Sequence, residues 1–173
     1  MAPFLEPGFD HDESPRESCG VIGAFLPGTN VAQIAFYGLF ALQHRGQESA
    51  GLATATGDKI HSYTGMGLVS QAFRENDLQR LEGHIAIGHT RYSTTGSNRP
   101  ENAQPIIAKN GGLEIALAHN GNVINARELR ADLLEQGVTF STSTDSEVIA
   151  QMFVYSPGET IEERIASSMR RLQ

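Results

Sequence analysis

The order of the apolar patterns constrains this chain most, because strand-like runs come first and helix-start signals come later. Gly57-Asp58 and Asn110-Gly111-Gly112 each separate two short apolar segments, a pattern typical of β-hairpins. Pro27-Gly28 ends the first run, which predicts a buried strand. The predicted strands cover residues 20–26, 51–56, 59–63, 85–91, 104–109 and 113–119, with a polar loop over 93–102.

Helix signals appear once early and then dominate the second half of the chain. Asn30 predicts an N-cap for a helix over 31–43, and a short helix is expected over 76–82. Later, three cap residues each have Glu three positions on, which predicts three capped helices. This order predicts an α+β fold rather than alternating βαβ units. The early helix should bury Val31, Ile34, Ala35, Leu39 and Leu42. The three late helices should begin after the caps Asn125, Thr144 and Thr160 and end near Glu135, Phe153 and Leu172, respectively. Gly137 should end the first of them.

Composition narrows the class of protein. The chain has 173 residues, of which 39% are hydrophobic and 19% charged, as expected for one globular domain. A net charge of −7 without a basic stripe argues against a nucleic-acid partner. No apolar run is long enough for a membrane span. A single cysteine excludes an internal disulfide and favours a reducing cytoplasmic location.

Residues 1–18 form an acidic leader, with five carboxylates against Arg16. The leader lacks the basic start and apolar stretch of a secretory signal. It is either a disordered tail or a removable propeptide that masks Cys19. Cleavage between Ser18 and Cys19 would give one residue both a thiol and an α-amine, hence a nucleophile and a base. The alternative for Cys19 is a small buried apolar residue.

Four polar segments carry candidate chemistry, although each also has a purely structural explanation. The segment 43–51 could be a helix end with Gly46 as a left-handed cap. Arg91 could bind a carboxylate with two hydrogen bonds, or form a surface ion pair. The segment 119–122 could be a tight turn, or could offer oxyanion donors. Asp145 could interact with a helix dipole, or receive a substrate ammonium group.

Taken together and in order, these segments resemble the class II glutamine amidotransferases, which are N-terminal-nucleophile hydrolases. Within that class the chain is most similar to the amidophosphoribosyltransferases of purine biosynthesis. The resemblance implies a four-layer αββα sandwich with two packed antiparallel sheets. It also implies an acidic propeptide over 1–18, an incomplete glutaminase domain over 19–173, and no phosphoribosyltransferase domain. The matching segments are Cys19–Gly23, Gln43–Gly51, Gly88–Thr94, Asn102–Pro105, His119–Asn122 and Ser143–Glu147.

The resemblance also implies a role for each site residue. Cys19 would attack the side-chain amide of glutamine while its own α-amine moves the proton. Asn120 and Gly121 would hold the oxyanion, Arg91 the substrate carboxylate and Asp145 the substrate amine. Further substrate contacts are expected from His44, Arg45 and Gly46, and processing between Ser18 and Cys19.

The implied partners are glutamine and, through the missing domain, phosphoribosyl pyrophosphate, in a full-length homo-oligomer. No metal or other cofactor is expected in this chain, whereas the full-length enzyme would use Mg²⁺ and, in many leader-bearing members, an iron–sulfur cluster. One alternative is the glutaminase domain of another class II amidotransferase. A second is a non-catalytic glutamine-binding domain, which has no use for Cys19. A metal enzyme is disfavoured because the histidines are scattered.

Overall fold

A computed structural model describes residues 19–92 and 99–173. The leader with Ser18, and most of the predicted polar loop, lie outside these residues. Six strands and six α-helices form within them. The strands are β1 Gly20–Phe25, β2 Ser49–Ala55, β3 Ile60–Met66, β4 Ile85–Arg91, β5 Ile106–Asn110 and β6 Leu113–Leu117; the helices are α1 Ala32–Ala41, α2 Val69–Ala72, α3 Glu75–Gln79, α4 Ala126–Glu135, α5 Asp145–Tyr155 and α6 Ile161–Met169.

The strands form two antiparallel sheets. The first has the order β1-β4-β2-β3, so that β4 lies between β1 and β2, and the second consists of β5 and β6. Both predicted hairpins are confirmed. In the second, Gly111 and Gly112 have φ angles of 55° and 86° and form a two-residue turn that favours glycine.

Helices cover the outer side of each sheet. Helix α1 packs on β1 and β4, where Gly38 leaves room for Ile22. Helix α5 packs on β5 and β6, where Ala150 and Val154 are fully buried. Apolar burial of this kind is the main stabilising term of each layer pair. The order helix, sheet, sheet, helix confirms the predicted α+β sandwich.

Gly51 of β2 lies in close contact with the segment that leads into the second sheet. A Cβ atom at this position would overlap the backbone carbonyl oxygen of Gln104, which precedes β5. Glycine is therefore required here by contact between two backbones rather than by its φ angle. Towards the β1 edge the inner face of the first sheet is left uncovered by the described residues, because Val21, Phe25 and Ile85 are 42%, 64% and 40% exposed.

The ends of the helices confirm some cap predictions and correct one. Gly137 ends α4 at a φ of 84°, and Val138 and Gly137 donate to the Leu133 and Leu134 carbonyls in a Schellman arrangement. Asn125 occupies the predicted N-cap position of α4, but its side chain makes no capping bond; its amide instead donates to the Arg171 carbonyl at 2.8 Å and accepts from the Gln173 N–H at 3.2 Å. This long-range pair replaces the local one because the C-terminal residues pack against the start of α4.

The other two predicted caps, Thr144 and Thr160, make one of the two hydrogen bonds of a capping box. Thr144 and Thr160 each accept from the N–H three residues on, at 3.3 Å. The buried Glu147 carboxylate does not return to the cap residue but accepts from the N–H groups of Ser141 and Thr142 at 2.7 and 2.6 Å. It therefore fixes the segment before α5 rather than closing a capping box.

Helix α1 is shorter than predicted, and its buried face differs by one residue from the predicted face. Asn30 accepts from the Ala32 N–H at 3.1 Å, which satisfies one donor of the first turn. Val31, Ala35 and Leu39 are fully buried, but Ile34 is 48% exposed and Ala32 takes its expected place. Within the described ranges, none of these helices combines the length and apolar character needed to cross a membrane.

His89 of β4 is a buried imidazole on the inner face of the first sheet. It is 1% exposed, and neither ring nitrogen makes a close, well-aligned hydrogen bond to the described residues. Burial lowers the pKa of His89 to about 4, against an opposing effect of weak hydrogen bonding to the His119 backbone; the charges of Arg91 and His119 also lower it. His89 is therefore neutral in the folded protein at neutral pH.

Replacing Gly51 with alanine should destabilise the fold, because the new methyl group forces the two backbones apart. We expect the free energy of unfolding to fall by about 1–3 kcal/mol. Gly23→Ala is the matched control, since a Cβ there meets nothing within 4 Å, and it should change stability by less than about 0.5 kcal/mol. Equal denaturant midpoints for the two variants would show that the close approach at Gly51 is not required.

Acid should destabilise the protein partly through His89. Because the unfolded pKa is 6.5 and the folded pKa about 4, the unfolded chain binds more protons between these values. The contribution of neutral His89 is fully present above pH 6.5 and falls by about 3 kcal/mol as the pH drops to 4. Urea unfolding of His89→Gln should show a shallower pH dependence than the parent chain, with His61→Gln as control. Identical slopes for parent and His89→Gln would refute this assignment.

Candidate active site

The pairing of β1 with β4 determines where Cys19 lies. Gly20 is opposite Thr90 in the register, and the Gly20 N–H donates to the Thr90 hydroxyl at 3.1 Å. One residue earlier, the Sγ atom of Cys19 lies against the backbone of Tyr92, 3.4 Å from its nitrogen and 3.5 Å from its oxygen. The Tyr92 N–H points at the sulfur, so it is placed to stabilise negative charge there.

The carbonyl oxygen of Cys19 collects two side-chain donors from distant parts of the chain. The Nε of Arg45 lies 3.3 Å from it, and the Nδ2 of Asn120 lies 2.8 Å from it. An amide nitrogen carries two hydrogens, so Asn120 retains one donor beyond this bond. The half-buried cysteine, an arginine and the predicted oxyanion residue thus form one cluster.

The segment around Gly46 joins this cluster through its backbone. Gly46 has an extended φ of −155°, so it is not the left-handed helix cap that the sequence allowed. Instead, a Cβ atom would lie 2.7 Å from the carbonyl carbons of Thr90 and Arg91, so only glycine permits this approach. The neighbouring His44 is exposed, and its Nδ1 lies 3.1 Å from the Ala41 carbonyl oxygen.

Arg91 ends β4 and is 8% exposed. Its backbone pairs with Ser49 of β2, and its carbonyl accepts from the Glu48 N–H. Over residues 19–92 and 99–173 its guanidinium makes no ion pair. A buried guanidinium of this kind can bind a carboxylate bidentately.

Asp145 begins α5 beside the segment that follows β6. Its Oδ2 accepts from the Val123 N–H at 2.9 Å and its Oδ1 from the Ser146 N–H at 2.8 Å. The carboxylate is half-buried and can accept more hydrogen bonds than these. It can therefore hold an ammonium group at the start of the helix.

The segment 119–122 is held by residues for which the sequence predicted no role. The His119 ring lies against Gly121, where a Cβ would be 2.7 Å from Nε2. The His119 backbone is bound by the side chain of Gln104, and the Ser143 backbone by that of Asn102. Asn102 and Gln104 stand in a segment that carried the family resemblance, and this was the available signal.

The donors for a resident metal site are not assembled in the described part of the chain. No three His, Cys, Asp or Glu side chains group together there. A cluster bound by four thiolates does not fit this chain alone, because its sequence has one cysteine.

Comparison with known proteins identifies the family of this chain. A glutamine amidotransferase domain profile matches residues 74–167, more than half of the chain. The chain is 48% identical over 168 residues to the amidophosphoribosyltransferase of Synechococcus elongatus, covering 96% of this chain and 34% of that protein. It is also 48% identical over 157 residues to the amidophosphoribosyltransferase of Methanocaldococcus jannaschii, covering 89% of this chain and 33% of that protein.

The fold matches a solved structure as well. Glutamine phosphoribosylpyrophosphate amidotransferase from B. subtilis, complexed with ADP and GMP, aligns with a TM-score of 0.79 at 39% identity. The alignment covers 88% of this chain and 33% of that one. The chain thus spans about a third of the length of its curated relatives. With the fold, the cysteine cluster and the domain match in agreement, this chain belongs to the glutamine amidotransferase family.

Proposed function

We propose that the chain hydrolyses glutamine to glutamate and ammonia, with Cys19 as nucleophile after removal of residues 1–18. The observation that carries this proposal is the hydrogen bond from Asn120 to the Cys19 carbonyl, which joins residues 101 positions apart at 2.8 Å. The amide donor and the Tyr92 N–H thus meet at the one residue that the reaction needs as its nucleophile.

In the proposed reaction the thiol proton passes to the free α-amine of Cys19, and Sγ attacks the side-chain amide carbon of glutamine. The carbonyl oxygen becomes an oxyanion that accepts from Asn120 Nδ2 and the Gly121 N–H. The amine then protonates the leaving nitrogen, the C–N bond breaks, and ammonia departs. Water attacks the resulting thioester, breaks the C–S bond and releases glutamate.

The substrate is held at its opposite end by charge. Arg91 is assigned to the α-carboxylate and Asp145 to the α-ammonium group, with His44, Arg45 and Gly46 as further contacts. Support comes from the buried guanidinium of Arg91 and from the N–H groups that fix both oxygens of Asp145. Fixing the substrate at a distance from the reacting carbon lowers the entropic part of the barrier.

The leader has a defined role in this proposal. While Ser18 is attached, the Cys19 nitrogen is an amide and cannot accept a proton, so the uncut chain is inactive. Cleavage at Ser18–Cys19 creates the base and the free nucleophile together. We assign residues 1–18 as a propeptide, residues 19–173 as a glutaminase domain, and the reducing cytoplasm as the location in which the thiol stays available.

For the whole protein we propose amidophosphoribosyltransferase activity in purine biosynthesis, in which the ammonia displaces pyrophosphate from phosphoribosyl pyrophosphate. This rests on relatives of that name and on the B. subtilis protein named for this substrate. The transfer step, its Mg²⁺, the iron–sulfur cluster of many leader-bearing members and the homo-oligomer belong to the whole protein rather than to residues 19–173.

Cys19→Ala in a chain that begins at residue 19 tests the nucleophile directly. We expect ammonia release from glutamine to fall to background while calorimetric glutamine binding stays within about threefold, because the clamp residues are unchanged. A Cys19→Ala variant that still hydrolysed glutamine would rule out this nucleophile, and binding without hydrolysis in the parent would indicate a non-catalytic domain.

A further inference from the structure

The side chain of Gln104 holds the segment that carries the proposed oxyanion donors. It is 7% exposed, and its Oε1 accepts from the His119 N–H at 2.7 Å. Its Nε2 donates to the His119 carbonyl at 3.2 Å and to the Ser146 hydroxyl at 3.1 Å. One amide therefore satisfies both backbone groups of His119, as a neighbouring strand would, and connects them to α5.

The side chain of Asn102 does the same for the segment before α5. It is 1% exposed, and its Oδ1 accepts from the Ser143 N–H at 3.2 Å. Its Nδ2 donates to the Ser143 hydroxyl, also at 3.2 Å. Ser143 lies two residues before Asp145, the proposed ammonium ligand.

Neither amide is a proposed substrate-binding group, but both form hydrogen bonds to residues close in sequence to such groups. His119 directly precedes Asn120, and Ser146 directly follows Asp145. The Ser146 hydroxyl also lies 3.3 Å from the Nδ1 of His119, so the contacts of Gln104 form a closed network.

We propose that Asn102 and Gln104 are positioning residues that set the distance between the oxyanion segment and the ammonium ligand. We call this pair the amide bracket. A side-chain amide offers a donor and an acceptor at once, on two different atoms. A displacement of about 1 Å in such groups can cost about a hundredfold in rate. This inference rests on the proposed glutaminase function.

The test compares variants of a chain that begins at residue 19. Gln104→Glu keeps the acceptor for the His119 N–H but loses both donated bonds. Asn102→Leu removes the contacts to Ser143. Gln136→Glu and Asn76→Leu are matched controls at exposed positions. The readouts are kcat and KM for ammonia release, and the rates at which Cys19 is alkylated by iodoacetamide and by the chloroketone analogue of glutamine.

The bracket predicts different kinetic effects for the two variants. Gln104→Glu should lower kcat at least about tenfold, because it displaces the oxyanion donors. Asn102→Leu should mainly raise KM, because it displaces Asp145. In both, alkylation by the chloroketone should slow at least about fivefold, whereas iodoacetamide, which needs no substrate clamp, should react within about twofold of the parent.

Two outcomes would overturn the proposal. If both variants match their controls in kcat, KM and chloroketone rate, the amides do not position the site. If both variants slow the alkylation of Cys19 by iodoacetamide as much as its alkylation by the chloroketone, the substitutions disturb the structure in general and the amides do not position the site. A parent chain that neither hydrolyses glutamine nor reacts preferentially with the chloroketone would instead refute the glutaminase function. In that case amide hydrogen exchange decides the bracket, which predicts faster exchange at 119–123 in Gln104→Glu and unchanged exchange there in Gln136→Glu.

Discussion

Strand β4 pairs with β1 on one side and β2 on the other, and this double pairing determines the geometry of the candidate site. Its register with β1 brings Cys19 to the Tyr92 backbone. Its register with β2 places Arg91 opposite Ser49, while Gly46 packs against the end of the strand. Because a shift by one residue would turn every side chain of β4 to the other face, the nucleophile and Arg91 depend on one register.

The second half of the site depends on buried hydrogen bonds rather than on strand pairing. Gln104 fixes the segment at His119, and Asn102 and Glu147 together fix the segment before α5. Buried polar groups are costly to leave unpaired, so each of these side chains contributes both stability and precision. Asn120 then connects the two halves through the Cys19 carbonyl.

Much of the fold could be predicted from the sequence because its signals are local. The strand of residues 85–91 and both hairpins follow from apolar runs and glycine turns, and the end of α4 follows from Gly137. The position of Asn125 before α4 could be predicted, but not the bonds of its side chain to Arg171 and Gln173, which are distant in sequence. The extended backbone of Gly46 could not be predicted either, since its close approach to the end of β4 leaves no local pattern.

The same distinction applies to the site. Cys19, Arg91, Asn120, Gly121 and Asp145 could be proposed because their residue types suit the chemistry and their segments resemble a known family. The roles of Gln104, Asn102 and the Tyr92 backbone depend on tertiary contacts, which no local sequence pattern encodes. His89 is similar, because only the folded sheet shows that its imidazole is fully buried.

The central claim is that Cys19 becomes a glutaminase nucleophile when it becomes the amino-terminal residue. The most direct measurement is mass spectrometry of the amino terminus together with ammonia release from glutamine, on the same preparations of cut and uncut chain. Chains that begin at Cys19 should release ammonia, and chains that retain residues 1–18 should release none. Equal ammonia release from a chain that still begins at Met1 would contradict it.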